Sequence, residues 1–297
     1  MTAAGMAKTK LATFFALLAA ALYAISSPFS KILLRELSPT MMAAFLYLGA
    51  GIGMSFVGLV RRCRGRADVQ LHLTRKELPY TVAMVVLDIA APIFLMIGLN
   101  MTTAANASLL NNFEIVTTAL IALVFFKEAV SKRLWFAIVL ITLSSIILSF
   151  EDMSSFSFSA GSLFVLLACT CWGIENNCTR ALSEKDPLEI VVVKGFGSGL
   201  GSLLIALAIG DGFGPLPYIL ATLLLGFVAY GLSIFFYVSA QRELGAAKTS
   251  AYYAISPFIG TLLSLCIFRQ LPTVNFLLAL CIMAVGTYFA SSTSKGA

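Results

Sequence analysis

The chain has 297 residues, of which 59% are hydrophobic and only 11% are charged. Because a soluble domain carries roughly 25% charged residues, this composition excludes an ordinary soluble fold. The formal net charge of +6 does not indicate binding to nucleic acid, since the basic residues lie in short segments between long apolar runs.

The apolar runs have the length of transmembrane helices. A helix rises ~1.5 Å per residue, so about 20 apolar residues cross a hydrocarbon core of ~30 Å. The runs are continuous rather than alternating, which predicts helices and not a β-barrel. We expect an all-α, polytopic membrane protein with ten transmembrane helices, in the plasma (bacterial inner) membrane. In chain order the predicted spans are roughly 11–34, 40–60, 78–99, 105–126, 133–150, 159–180, 188–209, 215–240, 246–268 and 272–291.

The distribution of basic residues predicts the orientation of these spans. With a cytoplasmic N-terminus, sixteen of the 20 lysines and arginines lie in cytoplasmic segments, and Lys31, Arg35 and Arg269 lie on the opposite side. Cytoplasmic loops are enriched in lysine and arginine. We therefore expect the N- and C-termini to be cytoplasmic.

The third and fourth spans carry carboxylates about halfway along their length, at Asp88 and Glu114. A charge at the bilayer centre costs ~2.5–3.5 kcal/mol on insertion scales, so it normally faces protein or a water-filled cavity. Asn111 is one turn before Glu114 and shares its helical face, whereas Asn112 is rotated toward a neighbouring helix. We expect all four residues to bind substrate and the two carboxylates to couple transport to protons. The alternative is that Asp88 and Glu114 are each capped by serine, threonine or asparagine neighbours and only fix helix packing.

The sixth and seventh spans carry Glu175 and Lys194, nearer their cytoplasmic ends. We expect these side chains to pair on the cytoplasmic side, either as a gate or as one end of the binding site that contacts substrate. The alternative is a static ion pair that makes burial tolerable. Trp172 and Asn176 flank Glu175 and are further candidates for substrate contact, although Trp172 could equally be a packing residue.

The seventh span also contains the glycine run KGFGSGLG, residues 194–201. The run resembles a phosphate-binding loop, but it follows no strand and lies inside an apolar span. Gly195 with Gly199, and Gly197 with Gly201, are pairs of small residues four apart, which allow helices to approach closely. We interpret the run as a packing surface.

Two halves of the chain resemble each other in order and spacing. The matched segments are 22–31 with 171–180, 38–53 with 186–201, 78–91 with 216–229, and 105–128 with 247–270. Five spans per copy is an odd number, so the second copy enters the membrane from the opposite side. Inverted repeats of this kind pack about a pseudo-two-fold axis, with the substrate site near the midplane at their interface. We assign the first repeat to residues 1–152 and the second to residues 153–297, together forming one transmembrane domain.

The ninth span, matched to the fourth, adds two phenols to this interface. Its residues Tyr252 and Tyr253 would lie opposite the carboxylate and amides of the fourth span. Three acids and one lysine inside the spans make the interior formally negative. This balance favours an ammonium-bearing or other cationic substrate, or proton binding.

Several motifs resemble the EamA-type branch of the drug/metabolite transporter superfamily over essentially the whole chain. They are the aromatic-then-small steps Tyr23-Ala24 and Trp172-Gly173, the glycine runs of spans two and seven, and the matched segments that end FFKE and IFRQ. The resemblance implies a carrier that moves small metabolites, often amino acids outward, by alternating access. Members commonly have a proline midway through spans four and nine. Pro257 fits this pattern, whereas Ile115 stands at the matched position in the first repeat.

The prediction is therefore a secondary active transporter for amino acids or amine-bearing compounds, working in export and coupled to protons. The alternatives are a passive facilitator or channel and, less favoured, an intramembrane enzyme. The single histidine, His72, and cysteines without metal spacing predict no metal site, and we expect no cofactor and no nucleic-acid partner. The expected partners are a small-molecule substrate and membrane lipid, and the protein is expected to be a monomer or a homodimer.

Overall fold

The apolar runs are helical in the computed structural model, which describes residues 3–63, 72–127, 130–152, 157–182, 184–244, 249 and 252–292. The helices of the first half are α1 (Ala3–Ala24), α2 (Ser26–Leu33), α3 (Pro39–Cys63), α4 (Leu78–Met101), α5 (Ala104–Leu110), α6 (Phe113–Phe126) and α7 (Lys132–Ser149). Those of the second half are α8 (Ala160–Ala181), α9 (Pro187–Ala208), α10 (Leu216–Gly226), α11 (Ser233–Leu244), α12 (Ser256–Phe268) and α13 (Val274–Ser292). A 3₁₀ turn, Arg75–Glu77, precedes α4, and a π-helical turn, Phe227–Leu232, joins α10 to α11.

Most predicted spans are confirmed as helices with ends within a few residues of those expected. Within the described residues, 8 helical segments are long and apolar enough to cross a membrane. The sixth predicted span is the 22-residue helix α8, which carries Glu175 and Arg180. The ninth is represented by the 13-residue helix α12, because part of segment 246–255 lies outside the described residues. The number of ten spans and the sides of the termini stay predictions.

A short antiparallel ribbon, which the sequence analysis does not predict, lies between the two halves. Strand β1 (Phe150–Asp152) pairs with strand β2 (Ser157–Phe158), with Phe150 opposite Phe158. The predicted boundary between the repeats falls directly after β1. The next residues, 153–156, lie outside the described part of the chain.

Several spans are interrupted within the part of the chain that the structure describes. Ile25 separates α1 from α2, and Pro28 has no N–H to donate to the carbonyl of Ala24 four residues earlier. The segment Asn111–Asn112 separates α5 from α6, and here the N–H groups of Asn112 and Glu114 bond carbonyls three residues back, at 3.2 and 3.1 Å. The π-helical turn interrupts the eighth span. Such discontinuities are typical of transporter helices that line a binding site.

Helix packing follows a pseudo-two-fold pattern that relates the two halves. Helices α3, α5 and α7 pack against their repeat partners α9, α12 and α13. Other contacts between the halves follow the same symmetry. Helix α4 packs on α8, and the matched helix α11 packs on α1, the repeat partner of α8. This arrangement agrees with the two-repeat architecture predicted from the sequence.

The glycines of the seventh span are confirmed as a packing surface. A Cβ at Gly195 would lie 2.3 Å from the backbone nitrogen of Gly51, so α3 and α9 touch through their backbones. Gly197 faces the side chain of Val85 on α4. Its repeat partner Gly49 meets Leu223 on α10, and Leu223 is the residue matched to Val85. The contacts reproduce the register of the sequence alignment between the repeats.

Candidate functional site

A buried cluster of charges joins three helices around Lys194. The Lys194 Nζ lies 2.8 Å from Glu175 Oε1 and 3.1 Å from Asp88 Oδ2. All three side chains are nearly inaccessible, with Asp88 fully buried. The predicted pairing of Glu175 with Lys194 is confirmed. Lys194 also pairs with Asp88, a contact that the sequence analysis does not predict, since it associates Asp88 with Glu114.

Hydroxyl groups complete the surroundings of the two carboxylates. The Tyr47 hydroxyl donates to Asp88 Oδ1 at 3.0 Å, and the Thr179 hydroxyl, one turn along α8, donates to Glu175 Oε1. Asp88 Oδ2 lies within ion-pair distance of Lys194 but has no aligned hydrogen bond. We define these three charged residues, Asp88, Glu175 and Lys194, as the Lys194 triad.

Glu114 lies in the first turn of α6 and has different partners. The Asn176 amide donates to Glu114 Oε1 at 2.5 Å and also lies 3.4 Å from the Thr118 hydroxyl. Glu114 is only half-buried, and no ion pair to it is found in the described residues. Glu175 and Lys194 are near enough to interact with it electrostatically. Two consecutive residues of α8 therefore serve the two carboxylate sites, with Glu175 in the triad and Asn176 bonded to Glu114.

The polar face predicted for the fourth span is confirmed. Asn111 is buried at the end of α5, with its Oδ1 3.9 Å from Cys169 Sγ of α8, so it faces the same helix as Glu114. Asn112 is turned away, since its Oδ1 accepts from Thr287 of α13 at 3.5 Å and its amide donates to Leu109 O. Asn112 thus stabilises the break in the span and the contact with α13.

A chain of tyrosine rings borders the charged residues. Tyr47 packs against Tyr230 with the rings tilted and their centroids 5.2 Å apart, and Tyr230 meets Tyr23 edge-on at 5.7 Å. Tyr23 in turn meets Tyr253 at 5.9 Å, and both tyrosines lie near Glu114. The rings connect the surroundings of Asp88 to those of Glu114.

The three aromatic residues predicted from the sequence as substrate contacts lie in different environments. Tyr253 belongs to the ring chain, whereas its neighbour Tyr252 is 38% exposed on the surface. Trp172 is buried in the main hydrophobic core of the protein. Of these aromatic candidates, Tyr253 contacts the site through the ring of Tyr23, and Trp172 contacts it through a hydrogen bond with the Tyr47 hydroxyl.

Sequence reasoning missed Tyr47, Tyr230, Tyr23 and Thr179 as members of the site. A signal was available for the tyrosines, because each places a hydroxyl inside an apolar span and buried tyrosine hydroxyls usually find a polar partner. Thr179 lies four residues after Glu175, on the same face of α8. Neither tyrosine nor threonine is charged at neutral pH, so neither stands out in an apolar span as a carboxylate does.

Comparisons with known proteins agree with the repeat architecture. The EamA-like transporter family matches residues 10–150 and again residues 159–292. An uncharacterized transporter from Methanothermobacter thermautotrophicus is 26% identical over 267 residues, which cover 84% of this chain and 76% of the relative. The uncharacterized transporter YyaM of Bacillus subtilis is 22% identical over 182 residues, covering 57% of this chain and 58% of YyaM. A crystal structure of 16% identity covers 96% of this chain and 97% of its own, with a TM-score of 0.68, and shares the fold.

Proposed function

Because the chain belongs to the EamA-like transporter family, we propose that it exports amino acids or amine-bearing metabolites by alternating access, in exchange for protons. The observation that carries the proposal is Glu114, a half-buried carboxylate beside a helix break. Among the described residues it is held by the Asn176 amide and not by a cation, which leaves it able to receive one.

The charges of the side chains around Glu114 indicate which charge the substrate should carry. Lys194 is already shared by two carboxylates, and therefore does not neutralise Glu114. An ammonium group would supply the missing positive charge. The rings of Tyr23 and Tyr253 would pack against it or against the apolar part of the substrate, since aromatic faces attract cations.

Exchange of substrate for protons follows if Glu114 binds either a proton or the substrate ammonium group, one at a time. Glu114 would release its proton when the ammonium group of the substrate arrives and would take up a proton after the substrate leaves. Asn176 would orient the carboxylate in both forms, because its amide can donate to either. Binding of the two ligands would then be mutually exclusive, as antiport requires.

The Lys194 triad has the arrangement of a gate between helices. Its members come from α4, α8 and α9, so any separation of these helices must break a buried ion pair. Breaking it exposes the separated charges to water, which lowers the cost of parting them. We assign Glu175 and Lys194 the role of a closed gate on one side of Glu114.

The second candidate is a passive facilitator for the same solutes. Transport assays on protein reconstituted in liposomes distinguish the two: an exchanger accumulates substrate against its gradient when a pH difference is imposed, whereas a facilitator only equalises concentrations.

The decisive experiment is the substitution Glu114→Gln, which keeps the size and the acceptor oxygen but removes the charge. We expect proton-driven transport of amines or amino acids in proteoliposomes to fall at least tenfold, while the variant still folds. The matched control is Glu36→Gln, because Glu36 is an exposed carboxylate remote from the site. Wild-type uptake with intact proton coupling in Glu114→Gln would refute the proposal.

A further inference from the structure

The Lys194 triad contains one more carboxylate than ammonium. Both carboxylates contact the same nitrogen, so they lie within about 6 Å of each other, a distance at which one negative charge disfavours the other. The exposed fractions of the three side chains are 0% for Asp88, 3% for Glu175 and 6% for Lys194. An uncompensated charge is costly in such a place, so a further positive charge is needed.

The positions related to the triad by the repeat symmetry carry no countercharge for this excess. The positions matched to Asp88, Glu175 and Lys194 are Gly226, Ser26 and Leu46. Gly226 packs directly on the backbone of Leu46, and Ser26 donates to the Tyr230 hydroxyl at 3.3 Å. The helices therefore pack at the symmetry-related positions without any charged side chain. The charges of the Lys194 triad are accordingly not required for helix packing.

The groups around the triad are neutral hydrogen-bond donors or weak acids. Tyr47 of α3 faces Asp88, and Thr179 of α8 faces Glu175. Cys171 and Cys178, also on α8, lie near Asp88 and Glu175 respectively. Tyr230 also lies near Asp88, and Glu114 is a further neighbour that, as a carboxylic acid, supplies no positive charge. Among the described residues, Lys194 is the cationic side chain that contacts the two carboxylates.

Hydrogen bonding distinguishes the two carboxylates. Glu175 Oε1 accepts from both Lys194 and Thr179, which suits an ionised group. Asp88 accepts one aligned hydrogen bond, from Tyr47, and its Oδ2 has none. Asp88 is also the more deeply buried of the two. The ionised form is therefore better supported at Glu175 than at Asp88.

We propose that the Lys194 triad is a proton-binding site separate from Glu114, and that Asp88 holds the proton while α4, α8 and α9 are packed together. The neutral Asp88 carboxyl leaves Lys194 and Glu175 as a matched ion pair. When the helices part and water enters, Asp88 ionises, and the cluster can close again only after it regains a proton. The proton thus acts on the gate, and the inference stands even if Glu114 does not bind substrate.

Infrared spectroscopy of the purified protein in lipid nanodiscs tests the proposal directly. Asp88 is the one aspartate within a predicted span, since the others are at positions 68, 152, 186 and 211. Near neutral pH the wild-type protein should show the carbonyl band of a protonated carboxylic acid. Labelling aspartate with carbon-13 at the side-chain carboxyl should shift this band. The same band should be absent from Asp88→Asn and present in the control variants Glu114→Gln and Asp211→Asn.

Two results would overturn the proposal. One is the lack of any aspartate-sensitive band of a protonated acid in the wild-type protein, which needs no variant to fold. The other is a band that follows glutamate labelling and is lost in Glu175→Gln, which would place the proton on Glu175. Loss of transport in Glu114→Gln, or its retention, leaves both infrared results unchanged, so the test is independent of the proposed function.

Discussion

The ammonium of Lys194 contacts two carboxylates at once, so its removal affects more than one ion pair. We expect Lys194→Met to lower the free energy of unfolding by about 3–5 kcal/mol, the usual cost of leaving buried charge without its partner. Thermal denaturation in detergent measures the change. The control is Lys31→Met, because Lys31 donates to the carbonyls of Leu99 and Asn100 rather than to a buried acid. Equal effects of the two substitutions would contradict the assigned role of Lys194.

A charge swap tests whether the Glu175–Lys194 pair is a gate or two separate substrate contacts. In the wild-type protein the swap would bring a glutamate at position 194 against Asp88, so it must be made in Asp88→Asn. In that background we expect Lys194→Glu alone to abolish transport and the double exchange with Glu175→Lys to restore much of it. Failure of the swap to restore transport in a folded protein would favour independent substrate contacts.

Single residues were predictable where their charge conflicted with their surroundings. Glu114, Glu175 and Lys194 stand out in apolar spans, and the Glu175–Lys194 pair followed from opposite charges on successive helices. The contact of Asp88 with Lys194 did not follow. The two residues are far apart in the chain, and their meeting depends on which faces of α4 and α9 are turned toward each other.

At the scale of helices, close approach of α3 and α9 depends on residues without side chains. We expect Gly195→Ala to destabilise the protein by about 1–3 kcal/mol, the usual cost of overpacking, because the new Cβ would meet the backbone of Gly51. Thermal denaturation again gives the measurement. Gly212→Ala is the matched control, since nothing lies within 4 Å of a Cβ there. An unchanged melting temperature in Gly195→Ala would show that α3 and α9 separate without cost.

The ends of the helices were largely predictable, and their interruptions were only partly so. Apolar length fixed the spans because hydrocarbon thickness sets how many residues must be apolar. The polar pair Asn111–Asn112 marked an unusual place in the fourth span, but the 3₁₀ bonds at this place arise from local backbone geometry. The π-helical turn Phe227–Leu232 has no clear sequence signal, since its residues are apolar helix formers with one glycine.

For the whole molecule, the inverted-repeat prediction has a direct topological consequence. Glu36 and Glu184 lie in connections that we expect on opposite sides of the membrane, outside and cytoplasmic. Single cysteines at these positions, in a background with the 6 native cysteines replaced, should differ in reaction with a membrane-impermeant thiol reagent on whole cells. We expect labelling at position 36 and protection at position 184 until the membrane is permeabilised. The reverse pattern would invert the predicted orientation.

The sequence by itself determined the membrane class, the approximate spans and the division into two related halves. These properties depend on hydropathy and on the order of matched segments, which are local or additive along the chain. Only the tertiary structure decided that Glu114 is held by Asn176, that Asn112 turns toward α13, and that Lys194 is shared between Asp88 and Glu175. Such contacts depend on helix rotation and on close backbone approach at residues such as Gly51 and Gly195. The polar stretch of the fourth span is therefore a turn between two helices that positions one carboxylate apart from the buried triad.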